Sequence, residues 1–217
     1  MSGLGGRGAR ALRLAVLASG RGSNFEAICR AIDAGLLDAR VVVLISDRAD
    51  AAALDKARAR GIAARFLDPA AFSSREDYER ALADCCEQAG ADLVVLAGFM
   101  RLLGKTFLSR FPLRTVNIHP ALLPSFPGLH AQRQAIEYGV RFSGCTVHFV
   151  DEGVDTGPII AQAVVPVYPE DDEDSLAARI LEQEHRLYPH ALQLIAAGRV
   201  EVEGRRVKVR GEKGDEE

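Results

Sequence analysis

Arg13-Leu14-Ala15-Val16-Leu17-Ala18-Ser19-Gly20-Arg21-Gly22-Ser23-Asn24 joins three signals: a short apolar run, a glycine turn and the start of a helical pattern near Ser23. An apolar run of this length, closed by glycines that bend the chain at little steric cost, predicts strand, turn and helix in succession. The alternation continues outward. Residues 41–45 are apolar, 51–60 form an Ala-rich helical pattern, 64–66 a short strand and 74–87 a long helix. Residues 92–97 and 114–118 are again continuous apolar runs, the form taken by strands covered by helices on both faces of a parallel sheet. Residues 144–150 and 159–167 flank a Gly/Asp-rich connection, and a helical pattern from Ser175 to about Leu187 follows. Pro189 is expected to break or restart that helix and Gly198 to end it. The fold expected is α/β: a single domain with a mostly parallel twisted sheet, helices on both faces and a Rossmann-like N-terminal half.

The chain has 217 residues, 48% hydrophobic and 26% charged, enough for one well-buried core and short for two full domains. Residues 13–210 are assigned to that domain, 1–12 to a flexible Gly- and Arg-rich extension and 211–217 to a disordered charged tail. Lys and Arg number 27 against 30 Asp and Glu, a formal net charge of −3. Such a balance gives no general attraction to nucleic acid or anionic membrane and favours small-molecule chemistry. The N-terminus lacks the apolar stretch of a secretory signal or membrane anchor, so a cytoplasmic location is expected. Cys29, Cys85, Cys86 and Cys145 show no paired metal-ligand spacing and read as reduced, mostly buried thiols. His130, His148 and His190 share no ligand pattern either. Packing is their default role, and no metal site is expected.

Five constellations can carry chemistry. At Gly20 to Asn24 the first N–H groups of a helix and its positive dipole end converge, which suits a phosphate. Ser23 and Glu26 can equally form a capping box that requires no ligand. In Thr115-Val116-Asn117-Ile118-His119, strand alternation sends Asn117 and His119 to one side at the carboxyl end of a strand, where open α/β sheets place their ligand crevice. A carboxamide and an imidazole there can donate to an oxygen gaining negative charge, and the imidazole can move a proton; the plainer alternative is a histidine satisfied by a loop carbonyl. Asp155, in a turn-like connection, gains a role only if its loop folds over His119, where its carboxylate would favour imidazolium. Glu184 falls on the apolar stripe of its helix with Leu176, Ile180 and Leu187, and needs either a ligand hydroxyl or an internal ion pair. The segment from Phe99 to Leu103, apolar but for Arg101, forms either core or one wall of a pocket for a flat ring.

Taken together, these motifs resemble the phosphoribosylglycinamide formyltransferases. The matching stretches are Gly20-Arg21-Gly22-Ser23-Asn24, Val95-Leu96-Ala97-Gly98-Phe99-Met100-Arg101, Asn117-Ile118-His119-Pro120 through Leu122-Leu123-Pro124, and Gly144 through Gly157. They occur in the family's order and span residues 13–200, with Arg21 and the Gly153-Val154 pair departing from the pattern. The resemblance implies formyl transfer from 10-formyltetrahydrofolate to glycinamide ribonucleotide. It implies a catalytic trio of Asn117, His119 and Asp155, and ribonucleotide binding by Gly22, Ser23, Asn24 and Glu184. Folate binding would fall to Arg75, Met100, Arg101, Leu102 and Leu103, to Asn117, and to Asp151, Glu152, Gly153, Val154 and Asp155. The mechanism it implies is direct attack of the amine on the formyl carbon, with His119 as imidazolium held charged by Asp155, and with no metal. The wider family's tRNA formylases and formyltetrahydrofolate hydrolases carry added domains for which 217 residues leave no room. A binding module with a vestigial site is a further alternative, and the state expected is monomer or homodimer.

Overall fold

The apolar run of the first strand lies in the interior of a seven-stranded sheet, in the computed structural model that describes residues 10–211. The expectations for residues 1–9 and 212–217 lie outside the described residues. The elements in order are β1 (Leu12–Leu17), α1 (Ser23–Asp33), β2 (Ala39–Ser46), α2 (Ala52–Ala59), β3 (Ala64–Phe66), α3 (Arg75–Gln88), β4 (Leu93–Leu96), α4 (Lys105–Leu108), β5 (Thr115–His119), α5 (Ala131–Tyr138), β6 (Phe142–Phe149), β7 (Ile159–Pro166), α6 (Glu173–Ala196), β8 (Val200–Glu203) and β9 (Arg206–Val209). The sheet order is β3-β2-β1-β4-β5-β6-β7. Pairings from β3 to β5 are parallel, whereas β6 runs antiparallel to both of its neighbours, β5 and β7. The chain winds outward from β1 to β3, then crosses to the other side at β4, so a switch point lies between β1 and β4.

Period-two alternation explains why β1 is apolar throughout. Leu14 and Val16 enter one core with Phe25 and Ile28 of α1 and Ile180 and Tyr188 of α6. Ala15 and Leu17 enter the other with Tyr78 and Leu82 of α3 and with Phe107 and Phe111. All four strand residues are fully buried, and each Leu or Val so buried contributes about 1.5–3 kcal/mol.

Several expectations are corrected. Leu12, placed in the extension, begins β1. Helices α4 and α5 and the β8–β9 hairpin were not anticipated. Pro189 does not interrupt α6, which runs unbroken from Glu173 to Ala196. Its neighbours Tyr188, Ala191, Leu192, Leu194 and Ile195 are all buried, and that burial outweighs the ~3 kcal/mol of a helix-interior proline. The Tyr188 hydroxyl lies 3.0 Å from the carbonyls of both Leu96 and Val116, pinning α6 to β4 and β5. The cysteines are free, three of them buried.

Candidate active site

The glycine turn follows β1 directly. Gly22 takes φ 71°, ψ 33° as the residue before α1, and no side chain caps the helix. The Ser23–Glu26 capping box weighed as the alternative to phosphate binding is therefore absent: Ser23 is already helical, and Glu26 instead pairs with Lys56 of α2 at 2.7 Å. Only glycine fits position 22, because a Cβ there would lie 2.8 Å from that of Ala53.

Asn24 and Glu184 are 160 residues apart, yet Asn24 Nδ2 donates to Glu184 Oε2 at 2.8 Å. Both are buried, and Asn24 Oδ1 has no partner among the described residues. Glu184 is thus held by an amide and not by the internal cation weighed from the sequence. Burial, opposed only by the Asn24 bond, pushes its carboxyl up to about 7.

Pairing registers place the next group at the same level of the sheet. Leu17 is opposite Leu96, and Leu96 opposite Asn117, so Asn117 lies two strand spacings, about 10 Å, from Leu17, three residues before the glycine turn. Val116 and Ile118 enter the core, while Asn117 and His119 face the other side. His119 Nε2 lies 2.8 Å from the Phe126 carbonyl oxygen and Nδ1 3.2 Å from Asp155 Oδ2. Asp155 also accepts the Gly128 N–H at 2.8 Å. His119 and Asp155 therefore meet, and the loop carbonyl named as the plain alternative is present as well.

Both nitrogens of His119 face acceptors, so a neutral ring satisfies one of them and a second proton would satisfy both. Burial lowers the His119 pKa against the pull of Asp155 and the Phe126 carbonyl. That shift works against the imidazolium that the resemblance implies. Desolvating a side chain only 5% exposed outweighs attraction to a single carboxylate. Burial also pushes Asp155 up, but His148, the Gly128 amide and His119 together outweigh it and hold the carboxyl below its usual range.

His148 was assigned to packing by its sequence context and belongs to this cluster. It pairs with Asn117 across β5 and β6. Its Nδ1 lies 2.8 Å from the Phe149 carbonyl oxygen and its Nε2 3.3 Å from Asn117 Nδ2. Nε2 is also 3.6 Å from Asp155 Oδ1. The alternation of Thr146 and His148 carried the signal, but only the antiparallel register reveals its partner. Phe126 and Asp155 adopt φ of 53° and 54°, a left-handed conformation that costs a non-glycine residue about 1–2 kcal/mol and gathers at functional sites.

Four expected folate contacts, Arg75, Met100, Arg101 and Leu102, line one cavity of about 450 Å³ with Asp47, Tyr78 and Glu79. Leu103 is 5% exposed and joins the core instead. Asp151, Glu152, Gly153 and Val154 lie on the connection between β6 and β7, where Asp151 Oδ1 accepts from Gly153 N and Thr156 Oγ1. Among the described residues no group of three or more His, Cys, Asp or Glu could hold a metal, and no helix is long and apolar enough to cross a membrane.

The formyl transferase family model matches residues 12–192. The phosphoribosylglycinamide formyltransferase of Escherichia coli (strain K12) is 43% identical over 212 residues, covering 94% of this chain and 100% of that protein. The trifunctional purine biosynthetic protein adenosine-3 of Drosophila melanogaster is 49% identical over 191 residues, 87% of this chain, though the chain spans only 14% of that protein. Among solved structures, glycinamide ribonucleotide transformylase 1 from Symbiobacterium toebii has a TM-score of 0.91 at 53% identity, covering 92% of this chain and 94% of that one.

Proposed function

This chain belongs to the formyl transferase family, and on that premise we propose that it moves the formyl group of 10-formyltetrahydrofolate to the amine of glycinamide ribonucleotide, a step of purine synthesis. The products are the N-formyl ribonucleotide and tetrahydrofolate. The observation that carries this reading is the contact of His119 with Asp155 at the carboxyl edge of the sheet, on the strand that bears Asn117 and two strands from an uncapped glycine turn.

The ribonucleotide phosphate binds at Gly22, Ser23 and Asn24, where helix N–H groups lack a side-chain cap. Glu184 takes a ribose hydroxyl, and the free amide oxygen of Asn24 is a second acceptor beside it. Folate occupies the crevice between the cavity at Arg75, Met100, Arg101 and Leu102 and the loop bearing Asp151 to Asp155.

The amine nitrogen attacks the formyl carbon; the new C–N bond forms as the carbonyl electron pair moves onto oxygen. Asn117, oriented by His148 through one N–H, donates its other N–H to that oxyanion. A neutral His119 ring leaves one of its two facing acceptors unsatisfied, and a second proton would satisfy both. The ring takes the proton released by the attacking amine, the resulting imidazolium being stabilised by Asp155, and delivers it to N10 of folate as the C–N10 bond breaks. Imidazolium is thus a form reached during the reaction.

The test is to mix purified protein and 10-formyltetrahydrofolate with glycinamide ribonucleotide or with water alone and follow both products. Formylated ribonucleotide is expected. Formate release without it would replace this reading with hydrolysis.

A further inference from the structure

Asp47, immediately beyond β2, was singled out by no motif, yet its carboxylate ties three strand ends together. Its side chain is 9% exposed. Oδ1 accepts the Ser19 hydroxyl at 2.6 Å and Oδ2 accepts Arg101 Nε at 3.0 Å. Ser19 Oγ in turn accepts the Met100 N–H at 2.9 Å, and Ser19 N donates to the Gly98 carbonyl at 2.9 Å. Ser19 immediately precedes the glycine turn, while Met100 and Arg101 form the wall of the cavity. The Arg101 guanidinium also lies 5.6 Å from the centre of the Tyr78 ring. One carboxylate is thereby linked by a single hydroxyl to the turn and by a single guanidinium to the loop after β4.

We propose that Asp47 is a positioning residue that joins the two substrate subsites, so that ribonucleotide bound at the glycine turn and folate bound against Met100 and Arg101 stabilise one shared frame. The inference rests on the assignment of those subsites above. A phosphate that fixes the turn fixes Ser19; Ser19 fixes the Met100 amide and Asp47, and Asp47 fixes the direction of Arg101. The first ligand bears the ordering cost of this network and the second binds a frame already ordered, which is positive coupling between sites. Charge makes the carboxylate hard to replace. It accepts from a hydroxyl and a guanidinium at once, and a carboxamide presents one oxygen where two are used.

Calorimetric titration of glycinamide ribonucleotide, with and without saturating tetrahydrofolate, tests this without turnover. Wild-type protein should bind ribonucleotide about tenfold more tightly in the presence of the folate. In Asp47→Asn, and separately in Ser19→Ala, that ratio should fall to about twofold while each ligand alone still binds. A residue that only holds the fold would lower the melting temperature and leave the ratio unchanged. Retention of the full ratio in both folded variants, or a ratio of one in the wild type, would overturn the proposal. Failure of the wild type to bind either ligand would remove the functional reading and this inference with it.

Discussion

His119 follows Asn117 along β5 and His148 faces it from β6, and replacing each has a different consequence. His119→Ala removes the proton carrier, so kcat should fall on the order of a hundredfold or more with the circular dichroism spectrum unchanged. His148→Ala leaves the carrier but frees the Asn117 amide that it orients, and a misplaced donor costs roughly ten- to a hundredfold in kcat with little change in either KM. Equal kcat for His148→Ala and wild type would show that Asn117 is held by something else. Glu184 supplies the pH-dependent prediction. Its folded carboxyl is raised from 4.5 to about 7, so between those values the folded state holds a proton that the unfolded state has released. Stability from this group is complete below pH 4.5 and is lost as pH rises through 7, a change on the order of 3 kcal/mol. Glu184→Gln, which keeps an oxygen for the Asn24 amide, should flatten the melting temperature between pH 5 and 8 relative to wild type. An unchanged slope would mean that Glu184 does not titrate there.

At the level of elements, the glycine turn shows what local sequence conveys and what it omits. Strand, turn and helix were legible because apolar length, glycine and helical periodicity are local quantities. The cap was not, because whether Ser23 precedes the helix or lies within it depends on Gly22 entering the left-handed region beside Ala53 of α2. Gly22→Ala places a Cβ 2.8 Å from the Ala53 Cβ at φ 71°. The combined cost should be about 1–3 kcal/mol, with a several-fold rise in KM for ribonucleotide as the first turn of α1 shifts. Thermal melts and initial rates on the same preparation check both; an unaltered KM would separate the turn from phosphate binding. Pro189 teaches the converse. A residue that ends helices by its own chemistry is carried through α6 because Tyr188 and Leu192 are wholly buried on either side, a fact of packing that no window around Pro189 contains.

Across the whole molecule, the pairs that make the site are distant in sequence: Asn24 with Glu184, Ser19 and Arg101 with Asp47, Asn117 with His148. Sheet order brings them together. Strand alternation predicted the direction of Asn117 and His119, but only the antiparallel return of β6 sets His148 against them, and only the β6–β7 connection carries Asp155 to His119. The β8–β9 hairpin stands apart from this assembly, since none of the site residues lies on it. It contributes through Val200, Val202 and Val207, partly buried against the core that contains α6. Three half-buried valines stabilise by roughly 2–3 kcal/mol, equivalent to a melting temperature lowered by about 5–10 °C when they are lost from a domain of this size. A chain ended after Gly198 should therefore melt earlier by that amount and retain wild-type kcat at temperatures where its circular dichroism is native. Because α6 reaches the site at Glu184, well before the hairpin, loss of turnover in the folded, shortened chain would mean that the hairpin controls how α6 meets the ribonucleotide.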